Sequence, residues 1–257
     1  MIMITPSKNN SRPSRKSSVN KRTVWFIKNT STEGPGYLIV LLKRWKISFR
    51  ICDLERGDEL PVLQKGDAVI VLGGPMSAND KSPSMRMLLK WIKGLLKNKT
   101  PYLGICLGLQ TLVKAAGGRV IKSPVKEVGL KRNQREYFVC QLNELGKSDA
   151  LFYRFAESFS IFQLHGETVM LRKGMNLLAE GKGCLNQIVK VSPNSYGIQG
   201  HLEMTTSLLS EWLKTDPDLK KKNSKQMLDN WNDVKTELHL NCKKILLNFL
   251  KIAEILS

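Results

Sequence analysis

Cys106 stands in Gly104, Ile105, Cys106, Leu107, Gly108, a G-x-C-x-G run placed between a strand-like stretch and a helix-like one. A nucleophile flanked in this way marks an elbow, in which the backbone turns too tightly for a Cβ and lifts the sulfur above a sheet. The dipole and free N–H groups of the helix that follows favour the thiolate. Such a thiolate attacks carbonyl carbon and needs a base. The chain offers His165, His201 and His239. In Gly197, Ile198, Gln199, Gly200, His201, Leu202, Glu203, extended backbone sends His201 and Glu203 to the same side. A carboxylate so placed orients and polarises the imidazole, which makes Cys106, His201 and Glu203 a candidate nucleophile, base and orienter. His239 lies in a charged C-terminal stretch, is expected in solvent, and is the weakest candidate base. Cys52, Cys140, Cys184 and Cys242 are scattered without a CxxC pair or a nearby histidine, so neither a zinc site nor a disulfide framework is expected.

An elbow needs a sheet beneath it. Thr23 to Ile27 is a β-branched and aromatic run, and Ala68 to Leu72 is continuously apolar before Gly73, Gly74 and Pro75, the pattern of a strand buried on both faces. Between Ser84 and Lys97, apolar residues at Met85, Leu88, Leu89, Ile92, Leu95 and Leu96 trace one face of a helix. Pro101 to Ile105 supplies the next strand, and Leu107 to Ala116 a helix closed by Gly117 and Gly118. Strand, helix, strand, helix with short connections predicts an α/β fold, a mainly parallel open sheet with helices on both faces. Residues 137–142, 160–164, 187–191 and 196–199 read as short strands that extend the sheet and bring the chain back to its C-terminal edge. Beyond Thr215, Leu228, Trp231, Leu238, Cys242, Ile245, Phe249, Ile252 and Leu256 recur mostly at steps of three and four, a helical appendage. Packing onto the domain is the first reading of that stripe and homodimerisation the second. The expected division is a basic tail over 1–22, a domain over 23–215 and a helical extension over 216–257.

The 257 residues carry 41 Lys and Arg against 22 Asp and Glu, a net charge of +19, with 42% hydrophobic residues. That hydrophobic share supports a packed core and excludes a mostly disordered chain. No run approaches the roughly 18 to 20 apolar residues of a membrane span, and no secretory signal is visible, so a cytoplasmic protein without a membrane partner is expected. The lysines are spread along the chain without the interleaved aromatics of a nucleic-acid module, so nucleic acid is not the expected partner. Residues 1–22, with Lys8, Arg12, Arg15, Lys16, Lys21 and Arg22 and no acidic residue, read as disordered, with an organellar transit peptide left open.

Taken together, these motifs resemble those of the class I glutamine amidotransferases, and most closely stand-alone proteins similar to the glutaminase domain of guanylate synthetase. The resemblance runs from about Val24 to Thr215, through GICLGLQ at 104–110, GIQGHLE at 197–203 and LGGPMSANDK at 72–81. KEVG at 126–129, LHGET at 164–168 and LNQ at 185–187 lie between. It implies a flavodoxin-like sheet with Cys106 as nucleophile, His201 as base and then acid, and Glu203 as orienter. It also implies backbone N–H groups of Gly74 and Leu107 on the oxyanion, Gln110 lining the glutamine pocket, and His165 with Gly166 at the substrate end. A structural role for His165 at a strand end stays open beside this one. The implied reaction releases ammonia from glutamine, or an amine from another γ-glutamyl amide, without metal or organic cofactor. The chain shows no P-loop, so a synthetase that uses the ammonia would be a separate partner. The alternatives are a γ-glutamyl amide hydrolase that discards the ammonia and a catalytically weak binding protein with a basic surface. Gly200, Leu202 and Leu164 replace the family's usual aromatic, proline and aromatic, and loss of bulk beside His201 is expected to widen the pocket or loosen the base.

Overall fold

The computed structural model describes residues 22–256, so the expected basic tail lies outside the described residues except for Arg22. In chain order the elements are β1 (Val24–Lys28), α1 (Gly36–Arg44), β2 (Phe49–Asp53), β3 (Ala68–Val71), α2 (Pro83–Lys97), β4 (Tyr102–Ile105) and α3 (Leu107–Ala115). They continue as β5 (Arg119–Gly129), β6 (Val139–Leu142), α4 (Glu144–Ser148), β7 (Ser158–Ser160), β8 (Gln163–Met170), β9 (Asn176–Glu180), β10 (Ile188–Ser192), β11 (Ser195–Ile198), α5 (Thr206–Thr215) and α6 (Ser224–Ile252).

Nine strands form one sheet in the order β2-β1-β3-β4-β11-β10-β9-β6-β7. From β2 to β11 the pairs are parallel, and from β11 outward they are antiparallel. Every residue of β3, β4 and β11 is buried, because helices cover both faces of the parallel half. On one face Met85, Leu88, Ile92 and Leu95 of α2 pack with Leu109, Leu112 and Val113 of α3 against Val69 and Val71. The other face carries Leu38, Leu41 and Leu42 of α1, Leu209 and Trp212 of α5, and the buried side of α6. Helix α2 starts cleanly: Pro83 needs no N–H partner at the first position, and Ser82 Oγ accepts from the Met85 N–H at 3.2 Å.

Two parts depart from expectation. Residues 160–164 do not form one strand of the main sheet. Ser158–Ser160 closes its edge as β7, whereas β8 begins at Gln163 and pairs with β5 as a separate two-stranded ribbon, Glu127 opposite His165. In the C-terminal stretch, the stripe of Trp231, Leu238, Cys242, Ile245 and Phe249 is buried within the chain's own core, so it is not available as a dimer seam. The same packing half-buries His239, whose ring stacks on Tyr37 at 3.9 Å and whose Nε2 donates to Met204 O at 3.1 Å. Far from standing in solvent, His239 ties α6 to the segment that carries His201 and Glu203.

Candidate active site

Strand β4 runs into α3 through Cys106, whose φ of 52° lies in the left-handed region although it is not glycine. The strain is held by two close approaches. A Cβ on Gly104 would fall 2.3 Å from Gly108 O, and one on Gly108 would fall 2.1 Å from Val71 O. Cys106 N–H donates to Ile198 O at 2.8 Å, tying the elbow to β11. The sulfur opens into a cavity of about 380 Å³, lined also by Glu33, Gly74, Gln110, Lys126, Leu164, Gly166, Glu167 and Asp216.

Just beyond β11, a backbone exchange with Phe162 anchors His201: its N–H donates to Phe162 O at 2.7 Å and its carbonyl accepts the Phe162 N–H at 3.3 Å. Trp212 meets its ring edge-on at 5.0 Å between centroids. His201 Nδ1 lies 2.6 Å from Glu203 Oε1, with the two side chains 1% and 3% exposed. The same-side placement read from H-x-E is therefore present. Burial alone would depress the imidazole, but Glu203 and the Cys106 thiol together hold it well above the usual histidine range. Glu203 Oε2 meets no donor among the described residues.

Gly74 and Leu107 are neighbours, a Cβ on Gly74 falling 3.1 Å from Leu107 Cδ2. Leu107 is the first residue of α3, so its N–H has no acceptor within the helix and is free for an oxyanion. Gln110, one turn on, donates to Glu167 O at 3.2 Å. The structure brings Cys106, His201, Glu203, Gly74, Leu107, Gln110 and Gly166 to one end of the sheet.

His165 differs. Its ring is turned inward, Nδ1 donating to Glu167 O at 3.0 Å and Nε2 meeting Glu127 Oε2 at 3.1 Å, so both nitrogens are committed within the protein. Its side chain is 1% exposed, which corrects the expectation that this ring contacts substrate. Gln187 Nε2 also donates to Glu127 Oε2, at 3.3 Å. Glu127, His165 and Cys184 keep their ligand atoms within 4.8 Å, the group with metal-ligand chemistry among the described residues. These atoms already satisfy one another and Gln187, and Thr168 Oγ1 lies 3.1 Å from Cys184 Sγ.

The replacement at Gly200 opens no space beside the base. The position is filled from across the fold, a Cβ there falling 2.7 Å from Gln163 Oε1 and from Ile161. Burial pushes the thiols of Cys52 and Cys184 up to about 11 and raises those of Cys140 and Cys242 further, which disfavours thiolate chemistry at all four.

Sequence reasoning missed Gln199, Glu127 and Glu33. Gln199 Nε2 donates to Cys106 Sγ at 3.8 Å, and its Oε1 accepts from Gln110 at 3.5 Å. Its signal was a fully buried amide between Ile198 and Gly200. Glu33 sits in the loop before α1 and reaches the cavity beneath Gly73. Burial pushes its carboxyl up to about 7, opposed by His201 and reinforced by Glu203 and Asp216.

Comparison with known proteins agrees with this geometry. The model of the family "Glutamine amidotransferase class-I" matches residues 42–216. The chain is 30% identical over 188 residues to the glutamine amidotransferase-like protein YfeJ of Salmonella typhimurium, covering 71% of this chain and 76% of that protein. It is 31% identical over 147 residues to the glutamine-hydrolysing GMP synthase of Wigglesworthia glossinidia brevipalpis, covering 54% of this chain but only 26% of that protein. The crystal structure of a glutamine amidotransferase from Methylobacillus flagellatus superimposes with a TM-score of 0.78 at 25% identity, covering 90% of this chain and 95% of that one. With the family model matched across the elbow and the His201–Glu203 segment, the chain belongs to the class I glutamine amidotransferase family.

Proposed function

We propose that the protein hydrolyses the side-chain amide of glutamine, or of a γ-glutamyl amide, through a thioester on Cys106. The observation that carries this reading is the arrangement of the Cys106 thiol and the Glu203-paired His201 at one cavity end. The thiolate attacks the γ-carbonyl carbon, forming a C–S bond while negative charge gathers on the carbonyl oxygen. The N–H groups of Gly74 and Leu107 receive that charge, a contribution of roughly 3 kcal/mol for each good donor. As the C–N bond breaks, His201 gives its proton to the departing nitrogen. Water then attacks the thioester, His201 takes a proton from it, and glutamate leaves as the thiolate is restored.

Gln110 and the backbone of His165 and Gly166 hold the donor's far end. Ammonia released here would serve a separate synthetase chain, since this chain spans about a quarter of the GMP synthase it matches. A second reading, hydrolysis of γ-glutamyl amides without ammonia transfer, draws support from a cavity larger than one glutamine side chain requires.

Purified protein and its Cys106→Ala variant, incubated with glutamine and a panel of γ-glutamyl amides, provide the test. Glutamate release by the wild type alone supports the reading, and the preferred amide separates the two forms of it. Intact donors in the presence of folded wild-type protein would contradict it and favour a binding role for the basic surface.

A further inference from the structure

We propose that Glu33 is the specificity-determining carboxylate of this site: it receives the departing nitrogen, so that donors releasing ammonia or a positively charged amine are preferred over donors releasing a carboxylate-bearing amine. This inference rests on the thioester reading above and names its substrate class.

Three observations carry it. First, Glu33 and His201 converge on one point. A Cβ on Gly73 would fall 2.2 Å from Glu33 Oε2 and 3.3 Å from His201 Cε1, so Gly73 is the residue type that lets both groups approach. Because Nδ1 of His201 is taken by Glu203, Nε2 must deliver the proton to the leaving nitrogen, and Cε1 is the ring atom next to it. The carboxyl of Glu33 therefore stands beside the place where the nitrogen departs.

Second, the carboxyl is held there without a partner of its own. Trp212, which packs on His201, donates its Nε1–H to Thr32 O at 3.2 Å and fixes the loop one residue before Glu33. Among the described residues no donor meets the Glu33 carboxyl, and burial hinders its ionisation. An N–H or ammonium at the leaving position would supply the missing hydrogen bond and favour the charged form.

Third, the sign of the cavity runs against that of the chain. Glu33, Glu167, Asp216 and Asp218 line it together with Lys126, in a protein of net charge +19. Lys126 is already paired with Asp218. A leaving group that carries a carboxylate would bring like charge against this wall, whereas a cationic one completes it.

The test compares kcat/KM for three donors: glutamine, the γ-glutamyl monoamide of ethylenediamine, and γ-glutamylglycine. The wild type should prefer the amine-terminated amide over γ-glutamylglycine by at least about 30-fold, and Glu33→Gln should cut that ratio at least tenfold. Glu33→Asp should keep most of the preference. Alkylation of Cys106 by iodoacetamide should change less than about threefold in either variant, reporting an intact nucleophile. Turnover with an unchanged ratio in Glu33→Gln would overturn the role of Glu33 and leave the thioester reading standing. Parallel loss of preference and of Cys106 alkylation in both variants would show a structural effect and also overturn it. A wild type that turns over none of the three would remove the thioester reading, and this inference with it.

Discussion

Two buried histidine–carboxylate pairs lie close together in this protein, and only one is wired for chemistry. His201 and Glu203 sit two residues apart on one extended segment, meet through Nδ1 at 2.6 Å, and leave Nε2 to the thiol. His165 and Glu127 face each other across the β5–β8 ribbon at 3.1 Å, with Nδ1 given to Glu167 O and Glu127 shared with Gln187. Burial and residue types are nearly the same. The difference is the uncommitted nitrogen, which converts a buried pair from a fastener into a proton carrier. The second pair still bears on the first, because the ribbon it fastens presents Leu164 O to Cys106 Sγ at 3.7 Å.

The contrast breaks most sharply at His201. His201→Ala should lower kcat for glutamine by about 10³-fold or more, since thiol activation and leaving-group protonation are lost together, with little change in KM. Steady-state glutamate release measures this. Glu203→Gln keeps a hydrogen-bonding neighbour but removes the charge that holds the imidazole protonated. It should cost roughly 10²-fold in kcat and depress the histidine's titration, seen by NMR of the ring. At the other pair the effect should move from rate to stability. Glu127→Ala leaves His165 buried without its partner and should cost about 3 kcal/mol in chemical denaturation. Cys106 alkylation should meanwhile stay within about tenfold of wild type. A large loss of kcat at unchanged stability would make His165 more than a fastener.

Glu33 sharpens the comparison with the smallest effect. Its carboxyl titrates at about 7 in the folded protein, against an ordinary 4.5. Between these values the folded state keeps a proton that the unfolded chain has released, so stability falls as pH rises through that window. Glu33→Gln removes the penalty. The variant should melt higher than wild type at pH 8 and alike at pH 4, by calorimetry. An equal difference at both pH values would contradict the placement of Glu33.

The elbow and H-x-E were legible because each rests on local geometry: glycines at a turn that leaves no room for Cβ, and a period of two in extended backbone. The parallel half was legible for the same reason, since Ala68–Val71 and Tyr102–Ile105 are apolar on both faces. The β5–β8 ribbon was not. Its β5 strand contains Pro124 and alternates irregularly between buried and exposed residues, with a register shift between Lys122 and Glu127. Helix α1 was also missed, because its continuous run of Leu38, Ile39, Val40, Leu41 and Leu42 hides a helical period. Glu33 lies far from Cys106 in sequence, and only the order of strands β1, β3 and β4 carries its loop to the elbow. The fate of His165 depended on Glu127, a long-range partner that periodicity does not reveal.

The central claim is that Cys106 forms a γ-glutamyl thioester. Acid quenching of wild-type protein during turnover of glutamine, followed by peptide mass spectrometry, tests it directly. The account predicts a glutamyl group on the peptide containing Cys106 in the wild type, and none on any peptide of Cys106→Ala. Glutamine turnover with Cys106 unmodified, or a glutamyl group on another cysteine, would contradict it.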